Sequence, residues 1–395
     1  MRVVVIGSKG YPSTPGAGGV EQGVRHVAEE LSALGHDVIV YERGQRATRT
    51  EGRITIRCMP FVNRRTLAAW SHLILSLIDA LTSVRSVDVY HVHCAQNGFV
   101  CMVLRLTGAR VLFHIHGCEW RARKWGVLMS LAMRVSCIAG AISAHSVVVV
   151  CERSRRFLLN VLGPSRKVRL IPNGIPSALV ASEAVPVRRR ELLFVGRIVP
   201  QKRLDLLLDA FYSLPNSDVT LTIVGPTSHS DVYARQLIQR TRDDSRISWL
   251  GQRSSRTVQA LYRRCFAVVL PSEHEGCSNV LLEALAAGCC IVASDIHENR
   301  AVTNDAAALV RPGDATALAD TICRLLWDPA EAESLRCAAR ERAAQLPTWE
   351  SVAREILTQY GTEDDSLNAV RVPLQHCVPE SNQPNSAQGL QRSIT

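Results

Sequence analysis

Residues 266–293 read FAVVLPSEHEGCSNVLLEALAAGCCIVA. The apolar run 266–270 stops at Pro271 and predicts a strand. Residues 280–287, VLLEALAA, are good helix formers, and Gly288 follows them. The apolar run 290–293 predicts a second strand. Strand, helix and strand in this order form the crossover unit of a parallel sheet. Ligands of such sheets bind outside the carboxyl ends of the strands, where 272–279 falls. Glu275 and Glu283 flank that loop. A helix rises about 1.5 Å per residue, so eight helical steps would set the two carboxylates roughly 12 Å apart. That is about the span from the sugar to the ribose of a nucleotide-sugar. Free backbone N–H groups at Gly276, Cys277, Ser278 and Asn279 would favour an anion between them. An ordinary helix with an acidic first turn remains the alternative at this point.

The same alternation runs through the chain. In the first half, strands are expected at 3–7, 37–41, 87–92, 110–114 and 146–150, with a first helix at 19–34. LIPNG, 170–174, reads as a short strand ending in a Pro-Asn-Gly turn. In the second half, strands are expected at 192–195, 219–224, 246–250, 266–270 and 290–293. Helices are expected at 204–213, 232–241, 257–264, 280–287, 315–327, 330–345 and 349–360. This pattern predicts an α/β protein of two doubly wound, Rossmann-like domains facing a cleft. At 395 residues the chain is long for one domain. The expected division is an N-terminal domain at 1–175, a linker at 176–190 and a C-terminal domain at 191–346. A crossover helix at 347–361 packs back on the first domain. A polar, disordered tail occupies 362–395.

Composition is that of a soluble globular protein, 47% hydrophobic and 21% charged. The 13 cysteines include no CxxC pair and no metal-spaced Cys/His set, so they read as small core hydrophobes in a reducing compartment. Two long apolar stretches, 67–84 and 127–151, carry polar residues near their middles and read as buried or interfacial elements, not membrane spans. Residues 1–170 hold 23 Lys+Arg against 10 Asp+Glu, and arginine outnumbers lysine 42 to 4. A basic half favours an anionic partner such as a phospholipid surface. No nucleic-acid motif accompanies the charge.

Other strand ends carry candidate ligand residues. GSKGYPSTPGAGGVE, 7–21, brings Gly16, Gly18 and Gly19 to the start of a helix, where backbone can approach an anion. A dinucleotide fingerprint would place its glycines immediately after the strand and an acid about 20 residues on. Here the glycines come late and the acid, Glu42, comes later still. HIHGCEW, 114–120, puts His116 at a strand end, ready to bond a sugar hydroxyl. VGRIVPQKR, 195–203, puts Gly196, Arg197 and Lys202 after another. A planar guanidinium and a point-charge ammonium suit a diphosphate.

Taken in order, the glycine loop with Glu21, the HGCEWRARKW stretch, IPNG, VGR…PQK and PSEHEGCSNVLLEALAAG resemble the retaining glycosyltransferases of family 4, of GT-B fold, over about 1–361. The resemblance implies a hexosyltransferase that moves a sugar from a nucleotide-sugar to a saccharide or lipid-linked acceptor. Surface polysaccharide or glycolipid assembly at the cytoplasmic face of a membrane is the implied setting. Arg197 and Lys202 would hold the leaving diphosphate, Glu283 the ribose, and Glu275 the donor sugar. Gly276, Cys277, Ser278 and Asn279 would touch sugar or phosphate. His116 would stand at the reacting centre, with Gly18, Gly19 and Gly196 against the phosphates. Attack on the donor's front face would retain configuration. No metal or cofactor is implied, and no Asp-x-Asp metal motif occurs in the chain. The pattern departs from the commonest one at Cys277–Ser278, Glu119, Cys151 and His297, which bears on donor choice more than on reaction class. A non-catalytic nucleotide-sugar-binding protein and a nucleotide-sugar epimerase of the same fold are the other readings.

Overall fold

A computed structural model of the protein describes residues 1–11, 18–64, 67–121, 125–180, 190–215, 218–227 and 232–361. Gly16, most of the expected linker and the expected tail lie outside them. Residues 1–361 belong to one compact unit.

The chain begins β1 (Arg2–Ile6), α1 (Gly19–Ala33), β2 (Asp37–Arg43), β3 (Ala47–Glu51), β4 (Ile54–Met59), α2 (Leu67–Thr82) and β5 (Val89–His93). It continues α3 (Gly98–Arg105), β6 (Arg110–Ile115), α4 (Val127–Ser143), β7 (Ser146–Val149), α5 (Glu152–Leu162) and β8 (Val168–Leu170). These strands form a sheet in the order β3-β4-β2-β1-β5-β6-β7-β8, parallel except for the β3–β4 hairpin. After α6 (Ser177–Val180) come β9 (Glu191–Val195), α7 (Leu204–Tyr212), β10 (Thr220–Val224), α8 (Val232–Arg240), β11 (Ile247–Gly251) and α9 (Ser255–Arg264). Then follow β12 (Ala267–Leu270), α10 (Asn279–Ala286), β13 (Cys290–Ser294), α11 (His297–Thr303), β14 (Ala308–Val310), α12 (Ala315–Trp327), α13 (Pro329–Gln345) and α14 (Trp349–Gln359). The second sheet is ordered β11-β10-β9-β12-β13-β14. The expectation of two Rossmann-like sheets holds.

The central strands are buried on both faces, as parallel sheets require. On one face of the first sheet, Leu73 and Ala80 of α2, Val100 and Leu104 of α3, and Met133 and Cys137 of α4 share one core. On the other face, Val24, Val27 and Leu31 of α1 meet Val352 and Ile356 of α14. Trp349 stacks on His26 of α1 with ring centroids 4.9 Å apart, which seats α14 on the first domain. Buried Cys101, Cys137, Cys265 and Cys290 pack as hydrophobes.

Three details differ from the sequence expectation. The short strand expected at the head of LIPNG starts earlier, as β8 at Val168–Leu170, and the expected turn follows at Pro172, which has no N–H for the ladder. Ile175 instead bonds the backbone of Pro347 and Trp349. The β3–β4 hairpin was not anticipated, since β3 is exposed and carries little apolar signal. The stretch 67–84 forms α2, but it turns His72, Ser76 and Asp79 inward and leaves much of its apolar surface outside.

Candidate functional site

Chain direction around each sheet changes beside its first strand: β1 lies between β2 and β5, and β9 between β10 and β12. Crevices at such switch points are where doubly wound sheets bind ligands. The loops after β1, β6, β9 and β12 carry the expected site residues, except that Gly19 and Asn279 open α1 and α10 and Glu283 stands one helical turn into α10.

The two domains meet at backbone level. Gly276, after β12, sits against the His116 carbonyl and Gly117, after β6. A Cβ built on Gly276 would lie 2.0 Å from the His116 oxygen, so no side chain fits there. Asn279 Nδ2 donates to the Gly19 carbonyl at 3.0 Å. Asn173 Nδ2 donates to the Cys277 carbonyl at 3.1 Å and to Asn279 Oδ1 at 2.6 Å. Arg153 on α5 pairs with Glu298 on α11 at 2.8 Å. The N-termini of α1 and α10 therefore open onto one space.

Glu21, at the third position of α1, shapes the glycine loop. Its carboxylate accepts from Gly18 N at 2.7 Å and from Lys9 N at 3.2 Å. A Cβ on Gly18 would lie 3.2 Å from Arg197 Nε, so the guanidinium reaches across to the first domain. Gly196 precedes it with φ +152°. Lys202 Nζ bonds Glu275 Oε1 at 2.6 Å, with side chains only 14% and 8% exposed. The sequence reading gave these two residues separate roles, and the structure joins them. Gln201 supports this loop by donating to the His274 carbonyl at 2.7 Å. Ser278 Oγ, at the cap of α10, is buried without a hydrogen-bond partner.

α10 starts only at Asn279. Of the eight steps from Glu275 to Glu283, only the last four are helical, so the 12 Å spacing argument does not hold as stated. Four helical steps rise about 6 Å. Glu283 accepts from Tyr262 OH at 2.9 Å. Burial pushes its carboxyl up to about 7, against the opposing Tyr262 bond.

His116 is not a lone histidine. His91, His93, His114 and His116 alternate along β5 and β6 onto one sheet face and stack, with neighbouring centroids 4.2 to 5.3 Å apart. His116 Nε2 lies 2.8 Å from His93 Nδ1, which leaves His116 Nδ1 for a ligand. His91 spans His114, at 3.1 Å, and Tyr360 OH, at 2.9 Å, next to the end of α14. Nitrogens of His91, His93 and His114 come within 4.8 Å of one another, the spacing of a metal-ligand set among the described residues. The His91–His114 geometry is that of a hydrogen bond between near-coplanar rings, 7° apart. Burial pushes His116 down to about 4 and holds the other three well below the ordinary histidine value.

Sequence reasoning passed over Asn173, Tyr262 and His93. The Pro-Asn-Gly turn was visible, but its amide's partners lie 104 and 106 residues away. The HVH alternation at 91–93 was the available signal for His93. Outside the cleft, a concavity of about 420 Å³ beside Arg2, Arg53 and Arg57 touches none of these residues.

Two predictions follow from this geometry. The stacked histidines resist protonation when folded, whereas unfolded ones take a proton near 6.5. Between pH 6.5 and about 4 the unfolded chain binds more protons, so stability falls on acidification. Each histidine contributes up to about 1.4 kcal/mol per pH unit. Glu283 acts oppositely: its stabilisation is present below its ordinary value of 4.5 and lost as pH rises through about 7. Four histidines outweigh one carboxyl. The melting temperature should therefore drop between about pH 7 and pH 5, less steeply in His114→Gln, as scanning fluorimetry would read. Equal melting at both pH values would refute the neutral stack. Separately, Gly276→Ala should hold the domains apart without unfolding either. Small-angle scattering should show a larger radius of gyration, and an unchanged radius would refute the contact.

A family model described as Glycosyltransferase Family 4 matches residues 17–179, and one described as Glycosyl transferases group 1 matches 189–328. The chain is 27% identical over 419 residues to a glycogen synthase of Mycobacterium tuberculosis, covering 96% of this chain and all of the relative. Its fold is similar to sucrose-phosphate synthase from Thermosynechococcus elongatus, with TM-score 0.79 and 22% identity over 91% of this chain and 98% of that one. It is also similar to Anabaena HepE in complex with UDP and glucose, with TM-score 0.73 and 18% identity over 91% and 99%. Both sheets, their facing loops and the two matched models together make this chain a group 1, family 4 glycosyltransferase with the GT-B fold.

Proposed function

We propose that the enzyme transfers a hexose, with retention of configuration, from a nucleotide-sugar to a saccharide or lipid-linked saccharide acceptor. The setting is assembly of surface polysaccharide or glycolipid at the cytoplasmic face of a membrane. The observation that carries this reading is the convergence of two helix N-termini, Arg197 and the Lys202–Glu275 pair on one cleft. Helix N-termini and a guanidinium together suit a diphosphate. The UDP and glucose held by HepE fit a donor of this kind.

In this reading the acceptor hydroxyl oxygen bonds to the anomeric carbon on the face that the diphosphate leaves. The bond from that carbon to the diphosphate oxygen breaks, and its electron pair departs with the nucleoside diphosphate. The hydroxyl proton passes to the departing oxygen. Arg197 and Lys202 take up the charge, so the transfer calls on no metal or cofactor. Glu275 stays close to the sugar while it neutralises Lys202. Unpartnered Ser278 Oγ and the amides of Gly276 and Cys277 are available to sugar or phosphate oxygens. Neutral His116 bonds a sugar hydroxyl through Nδ1, and Glu283 accepts from the ribose.

Arg197→Ala and Lys202→Ala should each slow transfer about tenfold or more, for a lost charged contact of about 1.5–3 kcal/mol. Release of nucleoside diphosphate from a panel of nucleotide-sugars and lipid-diphosphate acceptors measures this. Lys202→Ala also strands Glu275. The double variant Lys202→Met/Glu275→Gln should recover stability but not rate. Near-normal rates in both single variants would remove the diphosphate assignment, and no turnover with any common donor would sink the transferase reading of this cleft. Ribose binding needs ionised Glu283. Donor affinity measured by titration calorimetry should therefore rise as pH passes through about 7, by up to about tenfold per unit below it, and Glu283→Gln should flatten the profile.

A further inference from the structure

Exposed apolar side chains are normal when scattered, but a contiguous face marks a docking site. Of the 23 large apolar side chains exposed among the described residues, 17 fall between Phe61 and Ile142. They lie chiefly on α2, α3 and α4, whose inner residues share one core on one sheet face, so their outer sides look the same way. α2 is apolar on both sides. Leu67, Trp70, Ile74, Ile78 and Leu81 form a single outward stripe at helical spacing, whereas Leu73 and Ala80 point inward beside His72, Ser76 and Asp79. Ile74 and Ile78 are 53% and 52% exposed. On α3 Leu106, just past the last turn, is 88% exposed, and on α4 Leu128 is 84% exposed. α3 and α4 cross at backbone contact, where a Cβ on Gly140 would lie 2.6 Å from Gly98 Cα, so their stripes adjoin.

Charge identifies the occupant. Residues 61–145 hold nine Lys+Arg and three Asp+Glu. Of the three acids, Asp79 is buried against Arg57 and Tyr41, and Asp88 accepts from Arg2 N. Exposed Arg64, Arg105, Arg121 and Arg134 remain around the apolar stripes. Apolar residues ringed by arginine, with little opposing charge, match an anionic phospholipid surface. No described helix is long and apolar enough to cross a membrane. The face also borders the cleft: the loop leaving His116 runs through Trp120, whose carbonyl accepts from Ser130 of α4 at 2.7 Å.

We infer that α2, α3 and α4 form a monotopic membrane-docking face that inserts apolar side chains into an anionic bilayer and opens the acceptor side of the cleft toward it. This deepens the proposed function by fixing the surface and by making the acceptor a bilayer lipid. The docking itself is independent of donor chemistry.

The test is flotation of the full-length protein with vesicles of phosphatidylcholine alone, or of equal parts phosphatidylcholine and phosphatidylglycerol. The salt would be about 0.1 M or about 1 M, where the Debye length shrinks from about 10 to about 3 Å. Binding to the anionic vesicles should persist in part at high salt, because the apolar contact is not screened. Ile74→Ser/Ile78→Ser and Leu128→Ser/Leu131→Ser should each cut bound protein about tenfold at both salts. Arg105→Ala/Arg134→Ala should weaken it at low salt only. All three are surface changes, and an unaltered UDP-induced melting shift confirms the fold and cleft. Wild-type-like flotation of both serine variants overturns the inference. So does an absence of flotation, with light scattering showing a dimer that the serine substitutions split; the face would then join two copies. Flotation without turnover on any donor would keep the docking face and refute the proposed reaction.

Discussion

The contact of Gly276 with the His116 carbonyl is the constraint on which the site depends. It brings the β12 loop of one domain to van der Waals range of the β6 loop of the other, with no side chain between. Everything chemical in the cleft is referred to that approach. The N-termini of α1 and α10 share a space because Asn279 bonds Gly19 across it. Arg197 reaches Gly18 for the same reason. Asn173, beside the interdomain connection, holds both Cys277 and Asn279, so the turn between the domains is tied to the loop that would contact the donor.

Around this seam, electrostatics and burial give similar residues different tasks. Lys202 and Glu275 neutralise each other with both side chains largely buried, which makes each costly to remove alone. Glu283, which accepts from the Tyr262 hydroxyl, is pushed toward neutrality by burial instead. Burial keeps His116 uncharged, and the bond of its Nε2 to His93 leaves Nδ1 for a ligand. The same stack runs to Tyr360, so the last helix is hydrogen-bonded, through buried rings, to the sheet that carries the site.

The first domain divides its two faces unequally. One is sealed by α1 and α14. The other is covered by α2, α3 and α4, whose outer sides remain apolar and basic. In a water-soluble helix the apolar stripe faces the core. α2 is apolar on both sides: Leu73 and Ala80 face the core beside buried Asp79, while isoleucines face out. The His116 side of the cleft and this apolar, basic face thus belong to the same sheet.

Much of this was legible in the chain itself. Alternating apolar runs and helix formers set the parallel sheets, because a strand buried on both faces must be continuously apolar. The strand ends named the loops, and with them Gly18, Arg197, Lys202, Glu275 and His116. Charge counts located the basic half. What the sequence could not carry were relations between distant residues. Periodicity is a local signal, so it marked α2 as apolar without showing which side the core would take. It placed Lys202 and Glu275 in separate motifs, 73 positions apart, and could not join them in one ion pair. His93 and Tyr262 have meaning only through His116 and Glu283, which the fold brings to them. Local pattern determined the elements and the chemistry at their ends; only tertiary packing decided which ends meet, which rings lose their charge and which helix face stays bare.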